Sequence, residues 1–191
     1  SIPYLLDQSY QNFEIIILPD KIDRRIKNEK IKIIKTGAIG PAEKRDFSLK
    51  YAKGEILAFI DDDAYPDKDW LKNSLKNFID EKIVAVGGPN LTPERDSKFQ
   101  KASGFALSNS FVSGSVNYRY KKSKKREIDD FPSCNFFVKK DIFKKIGGFD
   151  SNYWPGEDTK LCLEIIKTGK KIIYDPEVIV YHHRRKNLNS Y

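Results

Sequence analysis

The run "ILAFIDDDAYPDKDW" at residues 56–70 carries five apolar, strand-like residues straight into Asp61, Asp62 and Asp63. Adjacent carboxylates repel one another, so such a cluster calls for a cation or a reaction that uses it. On an extended segment, side chains two apart point the same way, which pairs Asp61 with Asp63 and turns Asp62 elsewhere. Hard divalent cations such as Mg²⁺ and Mn²⁺ take oxygen ligands, commonly one or two carboxylates together with substrate phosphates. A metal–phosphate site is the expected chemistry. An acidic turn capping the next helix is the plainer reading, but Asp67 is better placed for that job.

Three further stretches carry chemistry-bearing side chains. In "WPGEDTKLC" (154–162), Glu157 and Asp158 sit where a Pro-Gly turn enters a helix. They either cap the helix dipole or supply a general base that takes a proton from an attacking hydroxyl. In "VYHHRR" (180–185), His182 and His183 are the two histidines of the chain. They follow a strand and precede two arginines; beside a phosphate site such a histidine ligates metal or contacts phosphate, and arginine suits a diphosphate. In "GPAEKR" (40–45), Lys44 and Arg45 open a helix whose N–H groups and positive charge fit an anion. A solvated basic face is the alternative for both stretches.

The elements that must hold these groups alternate between strand-like and helix-like. Continuous apolar runs at 13–18 and 55–60 predict buried strands, and "KIKIIKT" (30–36) predicts a half-exposed one. Residues 40–54 predict a helix with Pro41 in its first turn and Gly54 at its stop. Residues 67–80 predict an amphipathic helix with Trp70, Leu71, Leu75, Phe78 and Ile79 on its apolar face. A strand follows at 82–88. Residues 89–130 read as a loop-rich excursion, then a strand at 135–140 and a short helix from 140 that ends at Gly147 or Gly148. A helix over 156–170 buries Leu161, Cys162, Ile165 and Ile166. Residues 171–183 give two strands joined at Asp175-Pro176. The β-α-β rhythm predicts an α/β fold with a mostly parallel, doubly wound sheet and helices on both faces. Ligands of such sheets bind beyond the carboxyl ends of the strands, where Asp61–Asp63 fall. Residues 4–10 read as a helix tail, so the opening strand of this topology is expected to be missing and the chain to start inside its domain.

The 191 residues fit one domain, and 39% hydrophobic content supports a packed core. No apolar run approaches the roughly 18 residues that span a bilayer. Cys134 and Cys162 fit no metal or redox spacing and read as buried free thiols of a reducing compartment. The net charge of +8 is densest in "YRYKKSKKREIDD" (118–130). That run reads as a solvated loop, with an anionic membrane surface or a phosphate as the alternative partner. No RNA-binding motif accompanies Tyr118 and Tyr120, so no nucleic acid partner is expected.

Taken in order, "GPAEKRDFSLKYAKGEILAFIDDDAYPDKDWL", "SCNFFVKKDIFKKIGGFD" and "GEDTKLCLEIIKTGKKIIYDPEVIVYHHRR" resemble the family 2 glycosyltransferases over about residues 10–185. The resemblance implies a GT-A fold in one domain (1–191), with a donor half at about 1–90 and an acceptor half at about 91–191. It also implies a nucleotide-sugar donor, UDP- or GDP-linked, a divalent cation (Mn or Mg) and inversion at the anomeric carbon. By position, "DDD" matches the family's DxD motif: Asp63 would bind metal, and Asp61 the ribose or the metal shell. Asp158 would be the base, Glu157 would help orient the acceptor, and His182, 24 positions after Asp158, would be a metal-binding histidine. Asp20, Lys44, Arg45, Asp61 and Asp62 make up the implied donor-binding set, and Trp154 and Gly156 the acceptor pocket. The acceptor would be a glycan, a polysaccharide or a lipid-linked saccharide. The expected location is cytoplasmic, and the basic charge is consistent with a peripheral place at the cytoplasmic face of a membrane.

The sequence departs from the family where "LPDKIDR" stands in place of a "DDGS"-like loop, and no "QxxRW" motif of processive synthases occurs. Single-sugar transfer is the expectation. A sugar-nucleotide nucleotidyltransferase would need a glycine-rich basic start, which is absent. A haloacid-dehalogenase-type phosphatase would need Thr or Ser where Tyr65 stands. A non-catalytic sugar- or lipid-binding module of transferase descent is the remaining alternative.

Overall fold

The computed structural model describes residues 1–22, 26–153 and 155–187. After a short opening helix α1 (Ile2–Leu6), strands β1 (Ile15–Ile17) and β2 (Ile31–Ile33) pair in parallel, Ile15 opposite Ile31. Helix α2 (Pro41–Ser48) starts at Gly40, whose N–H donates to the Glu43 carboxylate, and it stops short of the expected Gly54. Strand β3 (Ile56–Ile60) buries Leu57 and Phe59, while Ala58 between them is exposed. β3 is an edge strand, so one of its faces is less covered than a continuous apolar run suggests.

The main sheet has five strands in the order β3, β8 (Asn135–Lys139), β5 (Ile83–Gly87), β9 (Lys171–Tyr174) and β7 (Arg126–Ile128). It is mixed where a mostly parallel sheet is expected. β3, β5 and β9 run one way, as the β-α-β rhythm demands. β8 returns from the excursion and inserts antiparallel between β3 and β5, and β7 pairs antiparallel with β9. A smaller sheet places β10 (Val180–His182) between β4 (Ala64–Pro66) and β6 (Asn90–Leu91).

Helices cover both faces of the main sheet. Phe136 and Val138 share one core with Ala42 of α2, Phe143 of α6 (Lys140–Lys145), and Leu161, Cys162 and Ile165 of α7 (Glu157–Lys167). Phe137, pointing the other way, packs with Trp70 of α3 (Trp70–Leu75), Val178 and Val180. Each such buried side chain contributes roughly 1.5–3 kcal/mol. Ile79 and Ile166 depart from expectation and are exposed. α3 tightens into a 3-10 turn at Lys76–Ile79, which swings Ile79 off the apolar face. Asp67 does not cap the helix; its Oδ1 accepts from Asp69 N–H one turn earlier.

Asn135 joins the two sheets. Fully buried, it accepts from Trp70 Nε1 at 2.8 Å and donates to Gly88 O at 2.7 Å and Val178 O at 2.8 Å. The excursion at 89–130 is not loop-rich but helical. It contains α4 (Lys98–Ser108), α5 (Ser110–Ser113) and a 3-10 segment, Gly114–Tyr120. Ser97 and Gln100 close a reciprocal cap at the start of α4. Cys162 is buried, Cys134 half-buried, and both thiols are free.

Candidate active site

Asp61, Asp62 and Asp63 lie in a turn rather than on an extended strand: Asp61 C=O accepts from Ala64 N–H at 3.2 Å as the chain passes from β3 into β4. The turn still leaves Asp61 and Asp63 on one side. The pairing of β4 with β10 sets His182 opposite Ala64, next to them. Oxygens of Asp61 and Asp63 and a ring nitrogen of His182 lie within 4.8 Å of one another. Octahedral ligands of a small divalent cation stand roughly 3–4 Å apart, so this O, O, N set fits such an ion after slight closure. Asp62 is exposed on the tip of the turn.

Within the cluster, His182 Nε2 lies 2.9 Å from Asp63 Oδ1, and the ring holds that carboxyl below the usual range. Arg184 Nη1 stands 3.3 Å from His182 Nδ1, which makes Nδ1 the acceptor and leaves the ring proton on Nε2. Ligation through Nε2 needs that proton on Nδ1, and Arg184 must then give up this contact. Arg184 is itself buried and bound to Asn90 C=O and Thr92 Oγ1, so it braces the site from below. His183 points away and meets Asp96 Oδ1 at 2.6 Å.

Arg45 connects this cluster to the second acidic pair. Its Nη2 donates to Asp61 Oδ1 at 3.0 Å, and its Nη1 is 3.8 Å from Glu157 Oε1. Lys44, its neighbour on α2, pairs instead with Asp20. Glu157 is buried at the start of α7, where Oε2 accepts from Gly156 N–H at 3.0 Å. Gly156 has φ +143°, a backbone state a side chain would strain. Trp154 lies outside the described residues.

Asp158 Oδ1 is shielded from solvent and has no hydrogen-bond partner among the described residues. Burial pushes the Asp158 carboxyl above its ordinary range, against the opposing pull of Ser133 and Arg45. It lines a cleft of about 280 Å³ with Arg119, Asp130, Gly156, Glu157 and Thr159. Arg119 donates to Asp130 Oδ2 at 2.7 Å, and Thr159 Oγ1 to Asp130 Oδ1 at 3.0 Å. Sequence reasoning misses this wall, because Arg119 sits inside a basic run that reads as solvated. Burial, with Asp61 and Asp158 nearby, pushes the Cys134 thiol up to about 12, so it stays neutral.

A mixed α/β sheet with helices on both faces, an acidic turn at the end of β3 and a carboxylate pair at the start of α7 make up a GT-A fold. The pattern of the Glycosyl transferase family 2 matches residues 2–147, and the chain belongs to that family. It is 28% identical over 152 residues to a pre-mycofactocin glycosyltransferase of Mycobacterium tuberculosis, covering 80% of this chain and 32% of the relative. A glucosyl-dolichyl phosphate glucuronosyltransferase of Haloferax volcanii is 24% identical, covering 95% of this chain and 63% of the relative. The chain thus spans from about a third to under two thirds of these relatives. In fold it matches a mannosyltransferase from Pyrobaculum calidifontis solved with GDP-Man and Mn²⁺. The TM-score is 0.70 and the identity 19%, over 98% of this chain and 53% of that one. GalNAc-T7, solved with UDP, GalNAc and Mn²⁺, matches equally at 14% identity, over 97% of this chain and 41% of that one.

Proposed function

We propose that this domain is a metal-dependent transferase that moves one sugar, with inversion, from a UDP- or GDP-linked donor to the hydroxyl of a glycan, polysaccharide or lipid-linked acceptor. The observation that carries this reading is the Arg45 bridge between Asp61 of the Asp61–Asp63–His182 cluster and Glu157, the neighbour of Asp158. It supports a reading in which a cation and diphosphate would bind beside the desolvated Asp158 carboxylate. The Mn²⁺ in the solved complexes of the fold neighbours supports a cation of this kind.

A divalent cation at Asp61, Asp63 and His182 would neutralise the diphosphate and stabilise the leaving charge. Residues 1–90 form the donor half in this scheme, with Asp20, Lys44 and Asp62 on the nucleotide side. Arg45 holds Asp61 and Glu157 in place and offers its guanidinium to phosphate. Asp158 takes the proton from the acceptor hydroxyl, and the oxygen attacks the anomeric carbon from the face opposite the nucleotide. One C–O bond forms as the bond to the diphosphate breaks. Residues 91–191 would supply the acceptor side, with Gly156 lining the Asp158 cleft and Trp154 an acceptor contact only by the family resemblance.

Incubation with labelled UDP- and GDP-sugars in Mn²⁺, with product anomers read by NMR, tests the reading. Transfer from one donor with inverted configuration, lost in Asp158→Asn, is expected. Nucleotide binding without consumption of any donor would instead favour a non-catalytic module.

A further inference from the structure

Large apolar side chains gather in the open on the helical excursion. Phe105 is 74% exposed, Phe111 99% and Val112 63%, with Phe99 beside them in sequence on α4. Exposed apolar groups scattered singly are ordinary, but such a concentration marks an interaction surface. The segment Lys98–Arg126 that bears them contains eight basic residues and no acidic one. The rest of the chain is balanced, with 27 basic residues (35 − 8) against 27 acidic. The whole net charge of +8 therefore resides in the stretch that also exposes the phenylalanines.

The patch is firmly mounted. Gln100 Nε2 donates to Arg184 C=O at 2.7 Å on the inner side of α4. Gly104 approaches Thr92 so closely that a Cβ there would lie 1.9 Å from Thr92 Oγ1. Asn109 Oδ1 accepts from Phe111 N–H at 2.9 Å and caps α5. With the inner face fixed, Phe105 and Phe111 face outward. Lys98, Lys101, Lys121, Lys122 and Lys124 are exposed on the same segment. Lys122 reaches Glu177 in an exposed pair and Lys125 reaches the buried Asp175, while Lys98, Lys101, Lys121 and Lys124 stay exposed, so most of the positive field is unopposed. The segment continues into Arg119, which lines the cleft at Asp158.

We infer that α4, α5 and the lysine run after them form a docking surface for an anionic membrane, with Phe105, Phe111 and Val112 entering the interface and the lysines meeting lipid phosphates. Apolar insertion and basic attraction together are what hold an interfacial helix to charged lipid. The orientation would hold the Asp158 cleft near the lipid surface. The docking itself does not depend on the transferase reading.

Flotation with phosphatidylcholine vesicles, with and without phosphatidylglycerol, tests this on the whole chain. The native protein should float only with the anionic vesicles, less so at high salt. Phe111→Asp and Phe105→Glu should each weaken flotation roughly tenfold, and Lys121→Gln with Lys124→Gln should reduce the preference for anionic lipid. Thermal midpoint and nucleotide binding, measured on the same samples, should not change. Failure of the native chain to float, or flotation of both phenylalanine variants at the native level, would overturn the inference. So would a concentration-dependent dimer that the variants abolish, since the face would then belong to a second copy.

Discussion

Arg45 Nη2 lies 3.0 Å from Asp61 Oδ1, so the second turn of α2 is tied to the acidic turn that ends β3. Its Nη1 reaches toward Glu157, and the guanidinium also lies over the Phe149 ring. Lysine cannot span two carboxylates in this planar way. Arg45→Lys and Arg45→Gln should weaken Mn²⁺-dependent nucleotide binding by roughly tenfold or more, the loss of one or two charge-assisted hydrogen bonds. Calorimetry on both variants, with circular dichroism as the check on folding, measures this.

Asp158→Asn should lower sugar transfer by roughly 10²–10⁴-fold while nucleotide affinity stays near native. Because burial raises the Asp158 carboxyl, the native rate should climb with pH through a value above the ordinary carboxylate range. The Asn variant should lack that limb. A pH–rate profile of the two proteins provides the comparison.

Asp46 gives a stability prediction of definite sign. Burial raises it to about 6, although Phe149 N–H donates to its Oδ1 at 2.8 Å. A raised carboxyl favours the folded state when protonated, so its contribution is present below about 3.8 and is lost as pH climbs through about 6. Asp46→Asn keeps an acceptor for Phe149 and removes the charge. It should be more stable than native by on the order of 2 kcal/mol near neutral pH and equal to it in acid. Urea unfolding across pH measures the difference.

Asn135→Ala should cost about 3 kcal/mol or more, because Trp70 Nε1–H, Gly88 C=O and Val178 C=O lose a buried partner together. The same unfolding experiment reads it.

The sequence made some of this legible for physical reasons. The apolar lead-in at 56–60 marks the strand end where the acidic cluster lies, but does not reveal that the chain turns there instead of staying extended. Glu157 and Asp158 were legible from the Pro-Gly entry to α7. The antiparallel insertion of β8 was not, because strand pairing is non-local and "NFFVKK" reads the same in either direction. The helices at 98–120 were hidden by glycine, serine and asparagine, which depress local helix propensity while cross-chain contacts such as Gln100 to Arg184 fix the fold. The 3.6 period includes Ile79 and Ile166, but both lie at helix ends where the period breaks down, and both are exposed. The Arg119–Asp130 wall needed the tertiary structure to appear at all.

The most direct test of the central claim is calorimetric titration of UDP and GDP, with and without Mn²⁺, into the native chain and Asp63→Ala. One of the nucleotides should bind only with Mn²⁺, and the variant should lose this binding. A well-folded native chain that binds neither nucleotide in Mn²⁺, or an Asp63→Ala protein that binds as tightly as native, would contradict it.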